Sequence, residues 1–463
     1  MKKVILDELK GKKIIILGYG REGVSSYSFI RKHFPTMPLT IADKSPIINV
    51  DDVKDDLNLN IIAGESYDDN LNDYDLILKS PGVCFSHLNY FVSPEKLTSQ
   101  TDLFMRAFSN QIIGVTGTKG KSTTASLIFH ILKNNDLDVF LAGNIGIPFF
   151  DIVDKIEKKS IVVAELSAHQ LEFIHTSPHI AILLNLYQEH LDHFISFNNY
   201  QLAKLNITCF QHENDTLIYN QDDSYIPKLL ASYQYQRSFL PFNTNAVVAN
   251  GAYRVNSTIF LTKEGEIVSE FELGELNNLP GVHNYNNIMA AILACKRYAL
   301  SDNAIYEQLK TFKGLEHRIE FVGKFNDILF YNDSISTIPE ATIAAVKALK
   351  KVDTLILGGF DRGIDYRVLL DFLRDNPISN IVFIGQAGKR MFNEWKKADF
   401  SMPNNFLFEN DFTEIVDFAY RYTAKNKICL LSPAAASYDQ FKNFEVRGRL
   451  FKDTVKKLSN PNS

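Results

Sequence analysis

The segment Ile112-Ile113-Gly114-Val115-Thr116-Gly117-Thr118-Lys119-Gly120-Lys121-Ser122-Thr123-Thr124 sets glycines, lysines and hydroxyls between an apolar run and a stretch, Ala125 to Leu132, with helical spacing. Strand, glycine-rich turn and helix together form a phosphate cradle. Glycines let backbone N–H groups turn toward oxyanions, and the helix N-terminus adds partial positive charge. Lys121 can reach the β- and γ-phosphates, and the Ser122 hydroxyl can sit on Mg²⁺. The loop is a variant. Counting back from Gly120-Lys121-Ser122, the first glycine of the general pattern falls on Val115, and Gly114 lies one residue early. The cradle is therefore centred on Gly117, Thr118, Lys119, Gly120, Lys121, Ser122 and Thr123.

A second glycine motif lies upstream. Gly18-Tyr19-Gly20-Arg21-Glu22-Gly23 follows the apolar run Ile14 to Leu17, and Asp43 closes the next strand. This is a dinucleotide fingerprint, with Asp43 on a ribose hydroxyl. On this segment alone a nicotinamide oxidoreductase competes with a uridine diphosphate binder, because the fingerprint reports a pyrophosphate and not its nucleoside. The loop Lys79-Ser80-Pro81-Gly82, after the strand Leu76-Ile77-Leu78, forms a lip for the same ligand.

Carboxylates and imidazoles supply a metal-holding set. Glu165 ends the buried strand Ile161-Val162-Val163-Ala164, and ligands of open α/β sheets bind at such strand ends. The run Ile180 to Asn185 reads as another strand, followed by Glu189-His190-Leu191-Asp192-His193. Mg²⁺ prefers oxygen, so His190 is an unusual but tolerable ligand. His193 is expected to face solvent. Lys204, within Tyr200-Gln201-Leu202-Ala203-Lys204-Leu205, reads from spacing alone as a surface lysine on a helix.

The elements that must position these groups read as α/β. Buried β-branched strands alternate with amphipathic helices, which predicts parallel sheets. At 463 residues the chain exceeds one ordinary core. Three segments open with a strand ending in glycines, the third being Thr354 to Phe360. We place domains at 1–105 (Rossmann-like), 106–314 (a mostly parallel, P-loop ATPase-like sheet) and 315–463 (Rossmann-like). The polar stretch 211–280 reads as hairpins inserted in the middle domain. The tail Ser459 to Ser463 is expected to fray. A net charge of −5 with mixed signs argues against a nucleic-acid binder. No apolar run reaches membrane-spanning length, and Asp7 breaks the N-terminal one at once, so no signal peptide or membrane partner is expected. Cys84, Cys209, Cys295 and Cys429 lack metal-ligand spacing and are expected as reduced thiols in a cytoplasmic, monomeric protein.

Taken in order, Gly117 to Thr123, Glu165-Leu166-Ser167, Asn185 to Asp192, Gly281 to Asn287, Glu316-His317-Arg318 and Asn332-Asp333-Ser334 resemble the Mur ligases, the ATP-dependent amide-forming family of peptidoglycan precursor synthesis. The resemblance covers nearly the whole chain. The run Leu431 to Gly448 is similar to the branch that adds glutamate to UDP-N-acetylmuramoyl-L-alanine. Asp375-Asn376-Pro377 looks like the diaminopimelate-adding branch, but Ile378 stands where that branch has arginine, and we treat the tripeptide as a decoy.

The resemblance implies roles. Gly18 to Gly23, Asp43 and Ser80 to Gly82 hold uridine diphosphate. The cradle, Asn287, Arg318 and Asp333 hold ATP. Ser122, Glu165, His190 and Lys204 serve Mg²⁺, two ions in the family pattern, with Lys204 carbamylated by CO₂ into a metal-binding carboxylate. Asn144 touches the muramoyl substrate, and Thr337, Arg362, Ser437 and Phe444 form the glutamate pocket. D-glutamate is the default amino acid, and a related subgroup takes L-glutamate. Two departures stand out: Ile335 where relatives commonly have lysine, and Arg362 where some have lysine. Three domains imply closure over the reactants. The rivals are a folylpolyglutamate synthase-like ligase, the oxidoreductase above and a non-catalytic nucleotide-binding module.

Overall fold

A computed structural model describes residues 1–46, 53, 55–85, 88, 91–232, 238–274, 279, 281–398 and 400–459. Among them the chain forms three sheets. The first takes β1 (Ile14–Leu17), β2 (Leu39–Asp43), β3 (Leu59–Ala63), β4 (Leu76–Lys79) and β5 (Leu97–Thr98) in the order β3-β2-β1-β4-β5, all pairs parallel. The chain order reverses beside β1, so the Gly18 loop opens at the switch point where such sheets bind ligands.

The central sheet joins β6 (Ile112–Thr116), β7 (Val139–Gly143), β8 (Ile161–Glu165), β9 (Ile180–Leu183), β10 (Thr216–Asn220), β11 (Ser238–Asn243), β12 (Gly251–Val255), β13 (Thr258–Lys263) and β14 (Glu266–Glu272). Its order is β14-β13-β12-β11-β10-β9-β6-β8-β7. Pairing is parallel from β7 to β12 and antiparallel only through β13 and β14. The reading of 211–280 as hairpins holds for β12, β13 and β14 and is corrected for β10 and β11, which pair in parallel and continue the sheet. Thr258 to Leu261 is a strand, but Ala246-Val247-Val248 lies outside the strands. The strand expected to reach Asn185 ends at Leu183. Residues 233–237, 275–278 and 280 of that stretch, and the tail after Ser459, lie outside the described residues.

The third sheet comprises β15 (Glu320–Phe325), β16 (Ile328–Asn332), β17 (Val352–Gly358), β18 (Asn380–Ile384), β19 (Asn405–Phe408) and β20 (Ile428–Leu431), in the order β15-β16-β20-β17-β18-β19. Only β15 and β16 pair antiparallel. Buried β-branched and leucine strands with helices between them produce this architecture, as the periodicity predicts.

The chain divides into two compact units, Met1–Gly274 with Tyr285–Thr311, and Glu275–Asn284 with Phe312–Ser463. The first two sheets share the first unit because one apolar core runs through both. Phe29 meets Phe150 and Phe104 stacks on Phe149, with ring centroids 4.6 and 4.7 Å apart. Among the described residues no helix is long and apolar enough to cross a membrane. All four cysteines are free.

Candidate active site

The phosphate loop is built as its sequence requires. β6 is buried along its length and feeds the helix Lys121–Lys133. Gly120 has φ +87°, and a Cβ there would stand 2.4 Å from Asn287 Oδ1. Glycine is thus demanded twice, by backbone and by neighbour. Asn287, buried on the helix Asn284–Cys295, also accepts from Thr124 Oγ1 at 3.2 Å. Asn185 clamps the other side: its carbonyl accepts from Thr118 N–H, its Oδ1 from Lys119 N–H, and its Nδ2 donates to Lys119 O. The Lys119 ammonium is exposed and ion-pairs with Glu189. Ser122 and Thr123 occupy the first helical turn, Ser122 half-buried and Thr123 buried.

Two lysine side chains converge on one carbonyl. Lys121 Nζ donates to Gly117 O at 2.9 Å and to Thr118 O at 3.0 Å. Lys204 Nζ donates to the same Gly117 O at 2.9 Å. Lys204 is 1% exposed, on the helix Phe197–Cys209, with its ammonium 4.9 Å from the Tyr200 ring centroid. The surface-lysine reading from spacing is therefore wrong. Burial, reinforced by the Lys121 charge, holds the Lys204 pKa well below the ordinary lysine value, against the pull of Glu189 and Glu165. A lysine so placed favours the neutral amine.

β6 pairs with β8 in a register that sets Val115 opposite Glu165, bringing the carboxylate beside the loop. Glu165 is buried. Its Oε1 accepts from Asn144 Nδ2 at 2.7 Å, and its Oε2 has no partner among the described residues. A buried half-paired carboxylate next to a phosphate cradle suits a hard cation that completes its shell with phosphate and water. Among the described residues no three His, Cys, Asp or Glu side chains gather as a metal cage. The set fits Mg²⁺ shared with a nucleotide.

His190 has a left-handed backbone, φ +56°, and a half-exposed side chain, with its ring edge-on to His169 at 4.9 Å. His193 does not face solvent as expected. Its side chain is 9% exposed, bonded to Glu172 at 3.0 Å and packed on His169 and Phe194. Burial, then the neighbouring His193 and His190, push His169 down to about 3, so it is neutral.

One cleft gathers most of the predicted uridine set: Gly18, Gly20, Arg21, Asp43, Ser80–Gly82 and, from the central sheet, Asn144. Asp43 Oδ2 accepts from Tyr19 N–H at 2.6 Å, which closes the loop on the strand end. Ser80 Oγ donates to Gly18 O, and Arg21 donates to Gly143 O and Asn144 O. Gly23 is required by close approach, because a Cβ would lie 2.3 Å from Gly18 O. The Tyr19 ring packs edge-on against Tyr27. Glu22 lines the cleft, but its carboxylate accepts from Gln170, and burial raises its pKa.

The second unit carries the remaining predictions. Asp333 is buried, accepting from Ile319 N–H at 3.1 Å and Ser432 Oγ at 2.7 Å, and burial pushes its pKa up to about 6. The Arg318 charge acts on it against that rise. Arg362 donates to Thr337 O at 2.9 Å, so these two sit together. Phe444 opens the helix Phe444–Ser459, and its carbonyl accepts from Ser334 Oγ. Ser437 is buried. Ile335, half-buried, is held by its N–H to His317 O. Sequence reasoning missed Arg447. This fully buried guanidinium donates to Ser334 Oγ and O, Ala435 O and Ala436 O, binding the Asn332–Ser334 turn to the loop before Ser437. The only signal was a lone arginine following Asn443-Phe444 in the quoted run.

Residues 115–295 match the model of the Mur ligase middle domain. The chain is 34% identical over 459 residues to the UDP-N-acetylmuramoylalanine--D-glutamate ligase of Thermoanaerobacter sp. (strain X514), covering 97% of this chain and 99% of that protein. It is 33% identical over 458 residues to the enzyme of the same name from Clostridioides difficile (strain 630), covering 97% and 100%. Among solved structures, the UDP-N-acetylmuramate-alanine ligase of Thermotoga maritima aligns with a TM-score of 0.57 at 18% identity, covering 96% of this chain and 100% of that one. At that identity it speaks for the fold.

Proposed function

The chain belongs to the Mur ligase family, and we propose that it joins D-glutamate to UDP-N-acetylmuramoyl-L-alanine at the expense of ATP. The observation that carries the chemical part is the convergence of Lys121 and Lys204 on the Gly117 carbonyl beside half-paired Glu165. The Lys121 cation, the Lys204 amino group and an orphan carboxylate oxygen suit a polyanion with its metal. The relatives' names support the acceptor and the amino acid. On this reading the three sheets are three domains bounded near residues 106 and 315.

A carboxylate does not react with an amine at neutral pH, so it must gain a leaving group. The γ-phosphoryl of ATP passes to an oxygen of the alanyl carboxylate, and ADP departs. The glutamate amine attacks the acyl carbon, a proton is lost, the C–O bond breaks and inorganic phosphate leaves. Lys121 and the loop amides neutralise the transferring group, and positioning supplies much of the rest. Mg²⁺, when bound, screens phosphate charge, with Ser122, Glu165 and His190 as its protein side. Burial shifts Lys204 toward its neutral amine, the form that takes CO₂: an N–C bond forms, one proton is released, and the amine becomes a carboxylate ligand. Asp43, Ser80 and Asn144 line the cleft for the uridine nucleotide and muramoyl group. Arg318 and Asp333 serve the adenine nucleotide, and Thr337, Arg362, Ser437 and Phe444 the glutamate.

The test is ATP-dependent phosphate release with UDP-N-acetylmuramoyl-L-alanine, run with D-glutamate and with L-glutamate, and product mass checked. Product with D-glutamate alone is expected. Product with L-glutamate alone would retain the ligase and move suspicion to Ile335 and Arg362. No product with either would sink the proposal.

A further inference from the structure

Within the first unit a second cavity lies apart from the loops described above. It is walled by Phe85, Phe173, Phe194 and Leu202, with Lys79 and Glu172 as its charged groups. Lys79 ends β4, immediately before the Ser80–Gly82 lip, but contributes here. Its side chain is 3% exposed, and its ammonium lies 5.2 Å from the Phe173 ring centroid and 5.8 Å from that of Phe85. Glu172 Oε2 stands 3.6 Å from Lys79 Nζ, longer than a direct hydrogen bond, and also accepts from His193 at 3.0 Å. An ammonium has three donors. This one is buried among aromatic rings, faces a cavity and has a carboxylate shared with a histidine as its counter-charge.

The rim supplies an independent observation. Ile195 has φ +67° and ψ −40°, and Ser196 N–H donates to Phe194 O at 2.7 Å. That is the rare, strained form of γ-turn, here centred on a β-branched residue. Such a residue is costly and persists where the surroundings over-determine it, as at active sites, ligand clamps and switch regions. The strain leaves the Ile195 side chain 72% exposed at the cavity edge. An apolar side chain presented to water by a strained backbone is suited to closing over an apolar ligand.

We propose that this cavity binds a small organic carboxylate with an aromatic or branched apolar body, its carboxylate on Lys79 and its body between Phe85, Phe173 and Ile195. Apolar walls with a few placed polar groups are the usual make-up of small-molecule sites. The site is separate from the nucleotide loops, although the helix Phe197–Cys209 lines it with Leu202 while holding Lys204 toward Gly117. The proposal does not rest on the ligase reading.

The experiment is a titration of the full-length protein with 3-phenylpropionate and, separately, with uncharged 3-phenylpropan-1-ol, followed by ligand saturation-transfer NMR. The carboxylate is expected to bind at least about tenfold more tightly than the alcohol, the scale of one charge-assisted hydrogen bond. K79M should bring the carboxylate to the alcohol's affinity, and L202W, which fills the cavity, should remove both. Saturating ADP and uridine diphosphate should leave the carboxylate's affinity within about twofold. Equal affinity for the two probes overturns the proposal, and so does displacement by either nucleotide. If K79M does not fold, the two-probe comparison on the native chain and on L202W still decides. No turnover is involved, so failure here and failure of the ligase assay remain distinguishable.

Discussion

The two glycine loops share a local plan and differ in charge. Each follows a buried parallel strand and opens a 13-residue helix, Arg21–His33 in one case and Lys121–Lys133 in the other. The Gly18 loop already has an anion: Asp43 accepts from Tyr19 N–H, and the half-buried Glu22 lies nearby. The Gly117 loop has lysines instead, with Lys121 and Lys204 on one carbonyl. The backbone geometry alone therefore does not decide what a glycine loop binds. The side chains that arrive from other elements decide whether it faces a hydroxyl-bearing nucleoside or a metal-bound polyphosphate.

Substitutions that exchange or remove those side chains test the comparison. The largest expected effect is Lys204→Ala, at least about a thousandfold in turnover, partly restored by acetate or propionate as a replacement carboxylate. Full activity of the variant without rescue would remove the carbamate from the scheme. Lys121→Ala follows, at about 3 kcal/mol or more of transition-state stabilisation. A loss below tenfold in steady-state turnover would show that the loop does not need the Lys121 cation. Asp43→Ala should act differently in kind: KM for the uridine nucleotide rises about tenfold while kcat holds within about twofold. A fall in kcat with unchanged KM would erase the distinction between the loops. The smallest effect belongs to Gly20→Ala, whose Cβ meets nothing within 4 Å; unfolding free energy should move by about 0.5 kcal/mol or less. Gly23→Ala, facing Gly18 O, should lose about 1–3 kcal/mol in the same denaturant titration.

What could be read from sequence was local. The strand, turn and helix of both loops, Asp43 at a strand end and Glu165 at another follow from period and punctuation over a dozen residues. Lys204 and His193 could not be placed that way. The helix Phe197–Cys209 buries Tyr200, Gln201, Ala203, Lys204, Leu205, Ile207 and Thr208, so it carries no single apolar stripe to say which polar residue is inside. His193 is buried by His169 and Glu172, which belong to a different segment. In the stretch 211–280 the hairpins of β12, β13 and β14 follow from short alternating strands, whereas β10 and β11 pair in parallel, a non-local choice that alternation does not encode. Arg447 is legible only once the Ser334 turn and Ala435–Ala436 are seen to surround it.

The crowding of two lysine side chains at Gly117 O has a thermodynamic consequence outside catalysis. The folded chain holds these two basic groups together, and the unfolded chain does not. Whatever anion enters the loop binds the native state alone and raises its stability by RT ln(1 + [L]/Kd), about 2.7 kcal/mol at a hundredfold excess over Kd. The melting temperature of this protein is thus a reading of the phosphate compounds around it, and buffer anions belong among the variables that set it.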